Sequence, residues 1–193
     1  LGSTVVSESV WSLRADELLR RTASSEPTPG NGSIAAVAGA FGIGLVLMAL
    51  RITEDAPASL RDRGEEILER VTPAADADVA AFGAVIHASG DGGDDAALES
   101  ATVAATERPL ELLAALLDAL ALAAEAEPVV KHALVSDVLS GGDLIAGAAR
   151  AAIRAADLNL ATLERDGSDA SAALRERRET LVAALDDALA ARA

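Results

Sequence analysis

The feature that most constrains this fold is a run of seventeen residues without a charged side chain, Ile34–Leu50, which reads IAAVAGAFGIGLVLMAL. A helix that is apolar on every side must be surrounded by other elements or by lipid. Crossing a bilayer takes about 20 apolar residues. This run is slightly short, contains three glycines and has amphipathic neighbours. The pattern therefore predicts the central buried helix of a bundle, and not a membrane span.

The rest of the chain predicts helices almost throughout, and no strand pattern is visible. Apolar residues make up 51% of the chain and aromatic residues only 2%, so alanine and leucine fill the core, and both favour helices. We expect an all-α bundle that forms one domain over residues 1–193. Because one bundle of this size hardly covers its central helix, we also expect a homodimer. The predicted helices are 6–23, 34–50, 58–71, one that has Pro73 at its first or second position and ends near His87, 96–124 (kinked or divided at Pro109), 130–163 (one helix, or two around Gly141-Gly142) and 170–191.

Composition excludes several classes of function. The chain has no cysteine and two histidines, which argues against a disulfide framework and a metal centre. Its net charge is −15 and no basic stripe is visible, so a nucleic-acid partner is not expected. The first residues lack a basic region followed by an apolar run, which predicts no signal peptide and a cytoplasmic location.

The turn before the apolar run, Pro27–Ser33, is the first candidate site. Unpaired N–H groups at the start of a helix attract anions, and glycines let the backbone approach a ligand closely. The stretch is thus suited to a carboxylate or to an oxyanion formed during a reaction. The structural alternative is a plain turn in which Ser33 caps the helix. Spacing by itself leaves both interpretations open.

Several segments carry a resemblance to a known family. In chain order they are EPTPGNGSIAAVAGAFG from Glu26, DADVAAFGAVIHA from Asp76, ERPLELL from Glu107, LVSD from Leu134 and DLNL from Asp157. Their order and spacing over residues 10–165 resemble the family of formiminotetrahydrofolate cyclodeaminases and methenyltetrahydrofolate cyclohydrolases. The resemblance implies an all-helical dimer with a cleft beside the Pro-Gly turn. It further implies acid/base chemistry on one-carbon tetrahydrofolate derivatives, a small-molecule substrate, and neither a metal nor a cofactor.

Family roles are carried over position by position. Asp137 is the implied general acid/base, and one of Asp76 and Asp78 would bind the amino edge of the pterin, because a carboxylate accepts two hydrogen bonds side by side. The implied substrate-binding residues are Gly30, Asn31, Gly32, Ser33, Asp76, Asp78, Ser136 and Asn159. Structural alternatives stand beside these roles: Asp137 also suits a helix cap, Asp76 the first turn of a helix, and Asn159 a buried backbone group.

The chain also departs from the family pattern. After the apolar run the family has a basic Gly-Lys-Lys-type cluster, where this chain has Glu54 and Asp55. Asn31 replaces the central glycine of the triplet, Ala155 an asparagine, and Ala133 another asparagine. We therefore carry three hypotheses: a folate ring-opening or ring-closing enzyme, a related cyclase for a non-folate small molecule in a biosynthetic pathway, and a non-catalytic ligand-binding dimer.

Overall fold

The computed structural model describes residues 8–90 and 94–192. Within those ranges it contains helices and no strand, so the prediction of an all-α fold is confirmed. The helices are α1 (Ala15–Thr22), α2 (Asn31–Ile52), α3 (Ala58–Val71), α4 (Ala74–Ala88), α5 (Asp95–Ala126), α6 (Val135–Arg165) and α7 (Ser171–Ala190), with short 3-10 helices at Val10–Ser12 and His132–Leu134.

The beginning of the chain differs from the predicted helix 6–23. A single 3-10 turn, Val10–Ser12, comes first, and α1 starts only at Ala15. Ser9 caps the 3-10 turn, since its side chain accepts a hydrogen bond from the Trp11 amide at 3.2 Å. Residues 6 and 7 of the predicted helix lie outside the described residues.

Pro109 does not divide α5, which runs on for 32 residues. A proline inside a helix removes the hydrogen bond to the carbonyl four residues earlier, which here belongs to Ala105. The side-chain amide of Asn159 donates to that carbonyl at 2.9 Å. An asparagine from α6 thus replaces the missing donor, which explains why the long helix continues through the proline.

Helices α2 and α6 pack closely against each other and run antiparallel. The Asn31 side chain at the start of α2 donates to the carbonyl of Ala151, and further along α2 Gly42 lies against Gly141. A Cβ built on Gly42 would stand 2.6 Å from the carbonyl oxygen of Gly141, and one built on Gly141 would stand as close to that of Gly42. The two helices touch backbone to backbone there, which only glycine permits.

An apolar helix such as α2 should be surrounded, but this chain by itself does not cover α2 on every side. Ile43, Val46 and Leu50 are fully buried, but Phe41 is 63% exposed and Ile52 48% exposed. By length and hydropathy α2 is the one helix of the described residues that would be able to cross a membrane, yet 67% of its apolar window is buried inside the fold. Most of its circumference therefore packs as a core helix, and one edge stays open.

The C-terminal helix is held to α6 by a second, smaller core and by an ion pair. Leu110, Leu160, Leu163 and Leu174 cluster between α5, α6 and α7. The Arg178 guanidinium donates to both carboxylate oxygens of Asp157, at 2.8 and 3.0 Å. This paired hydrogen bond raises the pKa of Arg178 above its usual value, in keeping with the two-point geometry of arginine and carboxylate.

Candidate functional site

A cleft with a cavity volume of about 270 Å³ lies between the Pro-Gly turn, α4 and α6. Its apolar walls come from Phe82 and Val85 of α4 and from Leu158 of α6. The polar side chains that line it are Thr28, Asn31, Asp78, Arg154 and Asn159. An apolar slot with a few convergent polar groups is the usual form of a small-molecule site.

The Asp78 carboxylate lines the cleft and bonds to the first turn of α2. Its Oδ2 accepts hydrogen bonds from the Ser33 amide at 2.8 Å and from the Ser33 hydroxyl at 2.7 Å. A carboxylate at a helix N-terminus is favoured both by the unpaired amides and by the helix dipole. Because an added Cβ on Gly32 would overlap Oδ1 of Asp78, the glycine is needed for this approach.

This arrangement differs from the predicted one at the turn. Helix α2 begins at Asn31 after Gly30, and Ser33 is its third residue instead of its N-cap. Ser33 is fully buried, and its amide already donates to Asp78. The acceptor at the helix start is thus supplied by a carboxylate of the chain. The residues of the turn that line the cleft are Pro27, Thr28, Gly30, Asn31 and Gly32.

The two asparagines combine structural contacts with a place in the cleft. Asn31 bonds through its side-chain nitrogen to the Ala151 carbonyl at 3.1 Å. Asn159 bonds to the Ala105 carbonyl, as described above. In both residues one of the two N–H groups of the side-chain amide bonds to backbone, which leaves the second N–H and the side-chain carbonyl oxygen for a ligand. Each asparagine can therefore accept a hydrogen bond there.

Arg154 is a cleft residue that the sequence analysis did not select. It lines the cleft from α6, is exposed, and stands beside Ala155. Within the described residues it has no carboxylate within ion-pair distance. The available signal was its position: Arg154 and Leu158 are four residues apart and so share one face of α6. The cleft thus holds a carboxylate from α4 and a guanidinium from α6.

Three predicted site residues lie elsewhere. Asp76 accepts hydrogen bonds from the Ser9 hydroxyl at 2.6 Å and from the Val10 amide at 2.7 Å, so its carboxylate anchors the N-terminal segment. Ser136 and Asp137 stand in the first turn of α6. Ala151, the contact of Asn31, follows Asp137 by about 20 Å at a rise of ~1.5 Å per residue. Within one chain, Asp137 and the cleft are therefore at different ends of α6.

The segment after α2 has no basic cluster. Arg51, at the end of α2, pairs with Glu65 at 2.5 Å. The buried Thr53 hydroxyl donates to the Ala49 carbonyl and accepts from the Lys131 amide. Glu54 and Asp55 are exposed beside it. Among residues 8–90 and 94–192, no three histidine or carboxylate side chains come together in a way that would hold a metal ion.

A second cavity lies on the other side of the turn. Its volume is about 390 Å³, and Ile34 and Ala38 of α2 face Gly147 and Ala151 of α6 across it. Glu26 is its one charged lining residue among those described. This groove is the larger, but the cleft holds both a carboxylate and a guanidinium, and we take the cleft at Asp78 and Arg154 as the candidate site.

Comparison with known proteins identifies the relatives of this fold. The sequence family described as formiminotransferase-cyclodeaminase matches residues 14–179. A crystal structure of a formiminotetrahydrofolate cyclodeaminase from Thermotoga maritima superposes with a TM-score of 0.78, covers 93% of each chain and is 22% identical. No curated protein sequence matches this chain.

Proposed function

Because the chain belongs to the formiminotransferase-cyclodeaminase family, we propose that it acts on a one-carbon derivative of tetrahydrofolate, closing or opening a ring at a C–N bond. The observation that carries this proposal is the cleft: apolar walls, one carboxylate and one guanidinium beside the Pro-Gly turn. Its volume of about 270 Å³ is at the lower end of the range of small-molecule sites, roughly 300–1,000 Å³, so a ring system would lie in the cleft and the tail of the ligand would extend into solvent.

Each wall of the cleft suits one part of such a ligand. The Phe82 ring would stack on a ring of the ligand, with Leu158 on the opposite helix. Oδ2 of Asp78 already accepts two hydrogen bonds, and Oδ1 is the oxygen beside Gly32 at the mouth of the turn. That oxygen can accept from a ring N–H or amino group. Arg154 would pair with a carboxylate on the ligand tail.

We assign the proton-carrier role to Asp78 instead of Asp137. Ring opening adds water to the one-carbon bridge and expels a ring nitrogen, and ring closure with deamination expels ammonia. Both steps transfer a proton to the departing nitrogen, and a positioned carboxyl group within hydrogen-bond reach performs this task. Asp78 lines the cleft, whereas Asp137 of the same chain does not.

A non-folate substrate is the second candidate, and a specific observation favours it. Ala155, which replaces an asparagine of the family pattern, lines the cleft next to Arg154. The acidic Glu54 and Asp55 also replace the family's basic cluster. Both departures alter the groups that would recognise a folate, and they favour a ring closure on another nitrogen-containing small molecule.

Incubation with methenyltetrahydrofolate, without added metal or redox cofactor, tests the first candidate. We expect loss of the near-ultraviolet absorbance of the substrate at a rate proportional to the amount of protein. Formiminotetrahydrofolate is tested in parallel by release of ammonia. If neither substrate turns over and calorimetry detects no heat of folate binding, the folate proposal is eliminated and the non-folate cyclase becomes the leading candidate.

Replacing Arg154 with glutamine is expected to lower kcat/KM for the folate substrate by about tenfold or more, the usual consequence of losing one charge-assisted hydrogen bond. The matched control is Arg150→Gln, which removes an exposed arginine one turn earlier on α6, outside the cleft. We expect this control to retain normal kinetics. Equal loss of kcat/KM in both variants would refute a contact between Arg154 and the substrate.

A further inference from the structure

The side-chain amides of this chain both lie at the candidate cleft. The sequence contains two asparagines and no glutamine, and Asn31 and Asn159 both line the cleft. Each donates to a backbone carbonyl of another helix. Asn31 bonds to Ala151 at 3.1 Å, and Asn159 bonds to Ala105 at 2.9 Å. The two contacts are similar in length, but they differ in what the carbonyl receives from its own helix.

Pro109 makes the Ala105 carbonyl dependent on Asn159. Proline has no N–H group, so the backbone hydrogen bond that this carbonyl would accept inside α5 is missing. Ala151, in contrast, lies inside α6 four residues before Ala155, and a regular helix gives its carbonyl a backbone donor. The bond from Asn31 is therefore added to a satisfied carbonyl, whereas the bond from Asn159 takes the place of a missing one.

An amide that is held in this way keeps one orientation. If the Asn159 side chain turned over, its oxygen would face the Ala105 carbonyl oxygen, and that carbonyl would lose its donor. Leaving a polar group without a partner away from water costs free energy. Ala105 is buried and Asn159 is half-buried, so this cost applies here. The position of the Asn159 oxygen is thus set by a proline on a different helix.

The Asn159 oxygen is available to a ligand. No hydrogen bond among the described residues ends on it, and it is not one of the buried side-chain atoms that lack a partner there. A carbonyl oxygen accepts hydrogen bonds and cannot donate them. A ligand group that lies against it must therefore present an N–H or an O–H. The Asp78 carboxylate is a second acceptor in the same cleft.

We propose that Pro109 is a positioning residue of the cleft, which acts through Asn159. It holds the Asn159 amide in one orientation, so that the site selects a ligand with an N–H or O–H donor at that point. Pro109 is buried in α5 and does not itself line the cleft. The inference deepens the proposed function and rests on it for the identity of the ligand.

The side-chain amide spectrum in nuclear magnetic resonance tests this arrangement without any substrate. A ¹⁵N-labelled chain has one side-chain NH₂ group on each of its two asparagines, and Asn159→Ala assigns the signals by removing one pair. In Pro109→Ala, α5 regains a backbone donor for the Ala105 carbonyl. We expect the Asn159 signals to shift and to exchange faster with solvent, while the Asn31 signals stay in place. Unchanged Asn159 signals overturn the proposal, and so does an equal change in both pairs.

Pro57→Ala is the matched control. Pro57 is exposed and stands at the N-cap of α3, outside the interior of a helix, so we expect neither pair of amide signals to change. Pro109→Ala should unfold at the same urea concentration as the natural chain or at a higher one, because alanine is favoured over proline inside a helix. A loss of activity in this variant is then not a result of unfolding.

Kinetics with methenyltetrahydrofolate test the consequence for a ligand. We expect kcat/KM of Pro109→Ala to fall by about threefold to tenfold, the effect of weakening one hydrogen bond. Asn159→Ala should then lower kcat/KM much less in the Pro109→Ala chain than in the natural chain, because both residues act through one contact. Losses that simply multiply would overturn the proposal. If the natural chain does not turn over this substrate, the folate proposal fails, and the amide spectrum still decides the role of Pro109.

Discussion

Replacing Gly42 with alanine is expected to lower the free energy of unfolding by about 2–3 kcal/mol, the upper part of the range for overpacked cores. The added Cβ would stand 2.6 Å from the Gly141 carbonyl oxygen and 2.8 Å from a side-chain carbon of Ile145. The nearest of these atoms belongs to helix backbone, so α2 and α6 must separate to make room. Urea unfolding followed by circular dichroism measures the change.

The matched control for this prediction is Gly83→Ala in α4. A Cβ there meets no atom within 4 Å, and alanine is favoured over glycine in a helix by about 0.5–1 kcal/mol. We therefore expect Gly83→Ala to leave stability unchanged or to raise it slightly. If Gly42→Ala is as stable as the natural chain, the backbone contact between α2 and α6 does not exist as described.

Replacing Asp78 with alanine is expected to destabilise the fold by about 3 kcal/mol. Two donors of the buried Ser33 lose their acceptor, and hydrogen bonds to a charged group contribute about 1.5–3 kcal/mol each without being additive. The start of α2 also loses the negative charge that complements its dipole. The midpoint of urea unfolding reports the loss.

Asp143→Ala is the control for this prediction, and Asp78→Asn separates the structural role of Asp78 from its proposed role as proton carrier. Asp143→Ala removes an exposed aspartate of α6 whose only ion-pair contact in the described chain is 3.9 Å from Arg192, and we expect a change within about 0.5 kcal/mol. Asp78→Asn keeps an oxygen that accepts from Ser33 but cannot carry a proton. If Asp78→Asn folds and retains full turnover of the substrate, the proton-carrier assignment is wrong.

That the chain folds into helices was predictable from the sequence, because helix formation depends on local patterns. The all-α fold and the seventeen-residue core of α2 follow from apolar periodicity and from the lack of strand signals, both of which concern neighbouring residues. The boundaries were less predictable. Pro109 was expected to kink or divide α5, but Asn159 lies 50 residues further along the chain, and its hydrogen bond to Ala105 is a tertiary contact.

The candidate site, too, was only partly predictable from the sequence. The turn, Asp78 and Asn159 were selected through the family resemblance, and the fold brings them to one cleft. Asp76 and Asp78 are indistinguishable by spacing, yet the first anchors Ser9 and the second anchors Ser33. No sequence motif pointed to Arg154 as a cleft residue. Which carboxylate faces the cleft depends on the rotation of α4 against its neighbours, which only packing decides.

What the sequence by itself determined is the class of fold, the existence of one unusually apolar helix and the family to which the chain belongs. Side-chain chemistry and its period along the chain suffice for these conclusions. What only the tertiary structure decided is which polar groups share a cleft, how the start of α2 is closed, and which edge of that helix stays open. These features arise where residues far apart in sequence meet, and no local pattern records their distances.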